Sequence, residues 1–415
     1  MEVLRVRSAV SPLRRQAAVP AVLPLVDDLV AALRPEDPVH CLRPAVLAET
    51  ARDFRSAFPG EVLYAVKCNA DPAVLRALWA GGIRHFDCAS PKEVSLVRAM
   101  FPQAEIHFMH PVKARGAIRD AWALHGVRDF VLDNADELAK LRHEIAATGV
   151  EGQLGLIVRL ALPKTGAIID LSGKFGASLE DAVALLRAAR PHAARLGVSF
   201  HVGSQCLDPL AWRRALDVTA EVIRAAGVAV DIIDVGGGFP VAYPGVEPPA
   251  FGAFMAEIEA GFDRLGLPDA VLWAEPGRAL VAAGGSVVMQ VQQRRGDALY
   301  VNDGVYGSLA DAGALGFRYP VRRIRPEGAA DAPLIAFSFY GPTCDSADTM
   351  RGPFFLPADI EEGDWIEIGQ IGAYGASLRT GFNGFDQARV MEVDDAPLPM
   401  DSFVHPIMTN ITLAA

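Results

Sequence analysis

Between Val62 and Asn69 an apolar, β-branched run ends abruptly in Lys67, with Cys68 and Asn69 behind it. A lysine at the end of such a strand costs free energy unless something uses it. One use is a Schiff base with an aldehyde cofactor, which needs a neutral amine at the mouth of a rigid scaffold. The other reading is an edge strand whose lysine snorkels to water. Glu275 bears on the choice, because it follows the apolar run Val271-Leu-Trp-Ala274. A carboxylate facing a pyridine nitrogen keeps it protonated and makes the ring an electron sink. His201, in Ser199-Phe-His-Val-Gly-Ser204, is either a satisfied core histidine or a ring lying flat on an aromatic cofactor. Gly236, Gly237 and Gly238 close another apolar run after Asp234. Three consecutive glycines form either a simple turn or a place where backbone N–H groups approach an anion. Arg278, in Glu275-Pro-Gly-Arg278, offers a guanidinium to the same anion. Gly-x-Gly-x-x-Gly and Gly-Lys-Ser/Thr are both absent, which excludes a dinucleotide fingerprint and a Walker loop.

These residues need elements to hold them. Eight β-rich runs, at 62–67, 85–90, 106–110, 129–134, 155–160, 198–203, 230–238 and 271–278, alternate with segments of helical periodicity. That alternation predicts a closed (β/α)8 TIM-like barrel over residues 39–280. Lys67, Asp87, His110, Asn134, Arg159, His201, the glycines 236–238 and Glu275 then fall at the carboxyl ends of their strands, the face that carries chemistry in such barrels. Residues 161–177, with Lys164 and Lys174 among glycines and prolines, read as a mobile lid. From 281 to 415 the texture becomes short β-rich pieces, at 286–293, 298–301, 334–340, 365–369 and 388–393, which predict a C-terminal antiparallel β domain. The N-terminal segment 1–38 is expected to complete that domain.

Composition narrows the function classes. A chain of 415 residues that is 51% hydrophobic has material for two cores. The net charge is −11 and no Lys/Arg run could track phosphates, so nucleic acid is excluded as a partner. Cys41, Cys68, Cys88, Cys206 and Cys344 are scattered, with neither a disulfide framework nor metal-ligand spacing, which fits reduced thiols in a cytoplasm. Arg14-Arg15 could open an export signal, but Pro20, Pro24, Asp27 and Asp28 interrupt the apolar stretch that follows. No apolar run reaches the roughly 18 residues that span a bilayer, so a soluble protein is expected.

Several motifs, in order, carry a resemblance. They are Tyr64-Ala-Val-Lys67, Phe86-Asp-Cys-Ala-Ser90, Lys174-Phe-Gly-Ala177, His201-Val-Gly-Ser-Gln205, Gly236-Gly-Gly-Phe239, Glu275-Pro-Gly-Arg278, Val301-Asn-Asp-Gly-Val-Tyr-Gly-Ser308, Gly341-Pro-Thr-Cys-Asp-Ser346, Gly372-Ala-Tyr374 and Phe382-Asn-Gly-Phe385. Together they resemble the ornithine decarboxylase family, fold-type III pyridoxal-phosphate decarboxylases with an alanine-racemase-like barrel and a β domain. The resemblance implies that Lys67 carries pyridoxal 5'-phosphate, Glu275 pairs with its pyridine nitrogen and His201 stacks on its ring. It further implies that Ser204, Gly236, Gly237, Gly238, Arg278 and Tyr374 hold the phosphate, while Asp87 and Arg159 support the ring and Glu275. In the family, Cys344 and Asp345 enter from the partner of a homodimer. Cys344 then reprotonates Cα, Asp345 accepts the substrate's distal ammonium, and Tyr306 and Phe382 line the substrate.

The implied activity is decarboxylation of a basic L-amino acid, L-ornithine to putrescine, in polyamine biosynthesis. Lysine, or both lysine and ornithine, is the alternative, since a pocket separates one methylene by only about 1–3 kcal/mol. Arginine or diaminopimelate, and a non-catalytic regulatory homologue, rank lower. A racemase would normally set an arginine where Glu275 stands. The chain departs from the family at Ala314, Leu315 and Gly316, where many ornithine decarboxylases carry Tyr-Asp-His. One distal anion is therefore missing, unless Asp311 or a barrel residue substitutes.

Overall fold

The computed structural model describes residues 23–164, 166–328 and 332–400. Strand β1 (Val39–Leu42) comes first, followed by β2 (Glu61–Ala65), β3 (His85–Cys88), β4 (Glu105–Phe108), β5 (Asp129–Leu132), β6 (Gly155–Arg159), β7 (Arg195–Ser199), β8 (Ile232–Asp234) and β9 (Val271–Ala274). Strands β2 to β9 pair in parallel and close into a barrel, with β9 returning to β2. Each is buried almost throughout, which is why it reads as a near-continuous apolar run. Leu63, Met109, Val131, Ile157, Ile232 and Trp273 form one buried cluster drawn from the barrel strands and the residue just past β4.

Local chemistry starts the helices between these strands. Asp71, Ser90, Asn134 and Ser178 each accept a backbone N–H two or three residues on, from Ala73, Glu93, Glu137 and Asp181. Pro72 and Pro91 occupy the first helical position, where no N–H is needed. Asn134, grouped with the strand-end candidates, is such a cap.

The remaining strands are β10 (Gly285–Arg295), β11 (Ala298–Val301), β12 (Val321–Ile324), β13 (Leu334–Tyr340), β14 (Thr349–Pro357), β15 (Trp365–Ile368) and β16 (Arg389–Glu392). They form a second sheet in the order β12-β15-β10-β11-β13-β14, with β1 on β10 and β16 on β1. The sheet is mixed, a correction to the antiparallel reading. The pairs β1·β16 and β11·β13 are parallel. Both join strands separated by long connections, and such strands are free of the hairpin constraint that forces antiparallel pairing. Strand β1 lies inside the span read as barrel, yet its partners are β10 and β16, so the barrel's own strands begin at Glu61.

Within the described part of the N-terminal segment, the helix Val26–Leu33 buries Val26, Leu29 and Val30 with Val39, Val288, Ile324 and Trp365 of the sheet domain. Trp365 Nε1 donates to Pro35 O at 2.9 Å. Residues 1–22, where the arginine pair falls, lie outside the described residues. Among the described residues no helix is long and apolar enough to cross a membrane.

The two units meet beside Lys67. Tyr374 N–H and Ser377 Oγ donate to Cys68 O, both at 3.0 Å, and Asn69 Nδ2 donates to Gly372 O at 2.8 Å. The end of β2 is thereby fixed to residues 372–377 of the sheet domain.

Candidate active site

After β2 the chain makes a single 3-10 turn, Val66–Cys68, braced by Tyr64 Oη donating to Asn69 O at 2.9 Å. The turn lifts Lys67 out of the packed barrel, leaving 44% of its side chain open at the mouth. The edge-strand reading fails, because β2 is flanked by β3 and β9. Lys67 Nζ lies 2.9 Å from Asp87 Oδ2. Burial works to lower the Lys67 pKa, but the carboxylates of Asp87 and Glu275 outweigh it and raise it above the ordinary lysine value. Without a cofactor this lysine is an ammonium locked to Asp87.

Glu275 follows β9 and is 9% exposed, and its backbone N–H donates to Gly236 O at 2.8 Å. Burial, with the carboxylates of Asp234 and Asp87, pushes Glu275 well above the usual range against Lys67 and Arg159. Asp234 is pushed up to about 6, first by burial; a Gly236 N–H at 2.9 Å and the Glu275 carboxyl pull it the other way. Asp87 Oδ1 is buried with no hydrogen-bond partner. Asp87 and Glu275 thus act on the lysine and Asp234 on Glu275, a set of buried acids that fits a protonated ring nitrogen. His201 Nδ1 accepts Gly203 N–H at 3.0 Å. Burial, then Arg159 and Lys67, push its pKa well below the usual value, so at neutral pH it is a neutral ring with its proton on Nε2.

The three glycines are required by space. A Cβ at Gly236 would lie 2.2 Å from Phe200 O, at Gly237 2.6 Å from Glu275 O, and at Gly238 2.3 Å from Gly203 O. Gly236 and Gly238 also have positive φ, 66° and 98°. Arg278 is 4% exposed; Nη1 donates to Tyr243 Oη and Nη2 to Asp311 Oδ2, both at 2.9 Å. Its Nε is buried with no partner. A glycine cradle beside a guanidinium with an unspent donor fits a phosphate. Tyr374, at φ 62°, sets its ring 5.0 Å from that guanidinium.

Lys67, His201, Ser204, Gly237, Gly238, Glu275, Arg278 and Tyr374 line one cavity. Asp87, Arg159 and Gly236 are not on its lining; Asp87 acts on Lys67, Arg159 on His201 and Glu275, and Gly236 through the backbone of Glu275. The expected lid lies across this mouth. Leu171 lines the cavity, Ile169 and Ser204 exchange backbone hydrogen bonds of 3.1 and 2.9 Å, and Gly176 N–H donates to Asp133 Oδ2 at 2.9 Å. His110 stands beside the lid, its ring 5.2 Å from Phe175.

Cys344, Asp345, Tyr306 and Phe382 form a separate cluster in the sheet domain, and none of them lines the Lys67 cavity. Tyr306 Oη donates to Asp345 Oδ2 at 2.5 Å, and the Phe382 ring lies 4.8 Å from that of Tyr306. An Ala347 N–H and the Tyr306 hydroxyl hold Asp345 below the ordinary carboxylate range. Asn383 Oδ1 accepts from both the N–H and the Sγ of Cys344. Asp311 cannot serve as the free second anion, because Arg278 occupies it, and Leu315 is 45% exposed. Sequence reasoning assigned no role to Tyr243, Asp234 or Asn383. Only the Asp-Val-Gly-Gly-Gly context hinted at Asp234, and the Phe-Asn-Gly-Phe motif at Asn383.

The barrel, its strand-end lysine and the cradle facing it define a class: a (β/α)8 protein with an amine poised beside an anion site. Comparison with known proteins narrows the class. Residues 45–282 match the family model described as "Pyridoxal-dependent decarboxylase, pyridoxal binding domain". Among curated relatives, the lysine/ornithine decarboxylase of Selenomonas ruminantium is 32% identical over 81% of this chain and 84% of its own length. The ornithine decarboxylase of Panagrellus redivivus is 33% identical over 81% of this chain and 80% of its own. Among solved structures, the Vibrio vulnificus lysine/ornithine decarboxylase complexed with putrescine superimposes with a TM-score of 0.76 and 31% identity, covering 89% of this chain and 98% of that one. The chain belongs to the pyridoxal-dependent decarboxylase family and is an ornithine decarboxylase-like enzyme.

Proposed function

We propose that the protein binds pyridoxal 5'-phosphate at the barrel mouth and decarboxylates a basic L-amino acid, L-ornithine foremost, releasing putrescine for polyamine synthesis. The observation that carries this reading is the pair of buried acids, Glu275 and Asp87, that act on Lys67, with Asp234 behind Glu275. When bound, the cofactor supplies a protonated pyridine ring that takes up the electron pair left behind by carbon dioxide. Glu275 would hold the proton on the ring nitrogen, and Arg159 would temper the charge of Glu275. Lys67 would anchor the aldehyde through its amine, with Asp87 taking and returning the amine proton at 2.9 Å. Neutral His201 offers a ring face without placing a second cation beside the ring nitrogen. Gly236, Gly237 and Gly238, Ser204, Arg278 and Tyr374 would hold the phosphate.

Cys344 would return a proton to Cα, and Asp345, backed by Tyr306 and walled by Phe382, would grip the distal ammonium. A single carboxylate suits a terminal ammonium better than a guanidinium, which asks for a bidentate acceptor. The relatives named for ornithine and lysine support the same choice. Because this cluster is apart from the Lys67 cavity, we assign it to the active site of a second copy in a homodimer. Five cysteines with no disulfide among them support a reducing, cytoplasmic setting.

Incubation with ornithine, lysine, arginine and diaminopimelate, with identification of the released amine, tests the assignment. Putrescine from ornithine should dominate, with cadaverine from lysine slower by about 10- to 200-fold in kcat/KM, the worth of one methylene. Release of agmatine alone, or of no amine, would overturn it.

A further inference from the structure

We infer that Asn383 is a positioning residue for the Cys344 thiol. This rests on the reading of Cys344 as the proton donor to Cα. The juxtaposition is specific, since Asn383 Oδ1 lies 3.1 Å from Cys344 N and 3.2 Å from Cys344 Sγ. The amide orientation is fixed by chemistry, because a backbone N–H only donates and so must face the carbonyl oxygen. With the same oxygen accepting from sulfur, the thiol carries its proton and its rotation about Cα–Cβ is restricted. Asn383 has φ 54° and ψ 8°, the left-handed region that asparagine tolerates better than most residues.

The two loops joined by this contact are each anchored elsewhere. Asp348 Oδ2 accepts from the N–H and the hydroxyl of Thr343, and Asp348 Oδ1 accepts from Val305 N–H. On the other side, Arg379 pairs with buried Asp303 and donates to the carbonyls of Phe385 and Gln387, while Thr380 N–H donates to Tyr306 O. Asn383 is the side chain that carries this rigidity onto the sulfur. In the proton transfer the S–H bond breaks, a C–H bond forms at Cα and a thiolate remains, to be reprotonated from water. A thiol turned away from Cα slows that step without weakening substrate binding, so the effect belongs in kcat and not in KM.

Two substitutions separate the oxygen from the turn. Asn383→Gly keeps the left-handed backbone and removes the acceptor, whereas Asn383→Ala removes the acceptor and strains the turn. In the cofactor-loaded enzyme both should lower kcat about five- to tenfold, the worth of one hydrogen bond, with KM unchanged. Iodoacetamide labelling adds a readout independent of turnover, because Cys344 is exposed while the other four cysteines are buried. Labelling of Cys344 should accelerate roughly threefold in both variants as the sulfur is freed. If Asn383→Gly turns over and labels like the wild type while Asn383→Ala does not, Asn383 serves the turn alone and the inference is overturned. Cys344→Ala is run in parallel. Unchanged turnover and product there overturns the role of the thiol itself, whereas a loss there beside a wild-type Asn383→Gly overturns only the positioning.

Discussion

The barrel mouth and the Cys344 cluster are built on opposite principles. At the mouth, Lys67, Glu275 and His201 stand on strand ends, among acids whose charge is displaced by burial and by one another. In the sheet domain, Cys344 and Phe382 are exposed and Asp345 is half-buried, on a loop and a short 3-10 turn between strands. A buried, preorganised half-site spends folding energy to hold one cofactor geometry. An open half-site of proton donor, carboxylate and aromatic ring lacks the water exclusion its chemistry needs. The difference teaches why we assign the second region to a site shared with a second copy, where what it faces would come from that copy.

Substitutions that remove one half and leave the other sharpen this contrast. The largest effect belongs to Lys67→Ala, which should abolish decarboxylation and the absorbance of lysine-bound cofactor. Retention of that band would place the anchor elsewhere. Glu275→Gln should lower kcat on the order of a hundredfold, as loss of a preorganised charge partner does, without loss of the fold by circular dichroism. Asp345→Ala should act mainly on ornithine affinity, raising KM about tenfold while cofactor absorbance is unchanged. An equal loss of cofactor would contradict the division between the two regions.

The smallest effect is one of stability in the cofactor-free protein. Asp234 is raised from its ordinary value to about 6, so folding retains its proton between about 4 and 6 while the unfolded chain releases it. Its contribution is therefore most favourable below about pH 4 and declines as pH rises to about 6, a loss of up to about 3 kcal/mol. Asp234→Asn keeps an oxygen for the Gly236 N–H and cannot ionise. It should stabilise the cofactor-free protein against urea at pH 7 and lose that advantage toward pH 4. Equal differences at both pH values would remove Asp234 from the strained acid group.

Much of the barrel half was legible because its signals are local. The eight apolar runs stop at polar residues, and each observed strand overlaps its run. Lys67, Glu275 and the glycines announced themselves by sitting at those stops. Contacts made across long stretches of chain were not legible. Arg278 meets Tyr243 and Asp311, 35 and 33 residues away, and nothing in either segment's pattern points to the other. Strand β1 pairs with β16 across most of the chain, which is why the sheet read as antiparallel and the barrel as beginning too early. The grip of Asn383 on Cys344 spans 39 residues and depends on a left-handed turn visible only as backbone geometry.

The most direct test of a site divided between two copies is to mix inactive Lys67→Ala with inactive Cys344→Ala under conditions that exchange subunits. Random pairing makes half of the dimers mixed, and each mixed dimer holds one intact site, so about a quarter of wild-type activity should return. Activity no higher than the sum of the two variants alone would contradict the division of the site between copies.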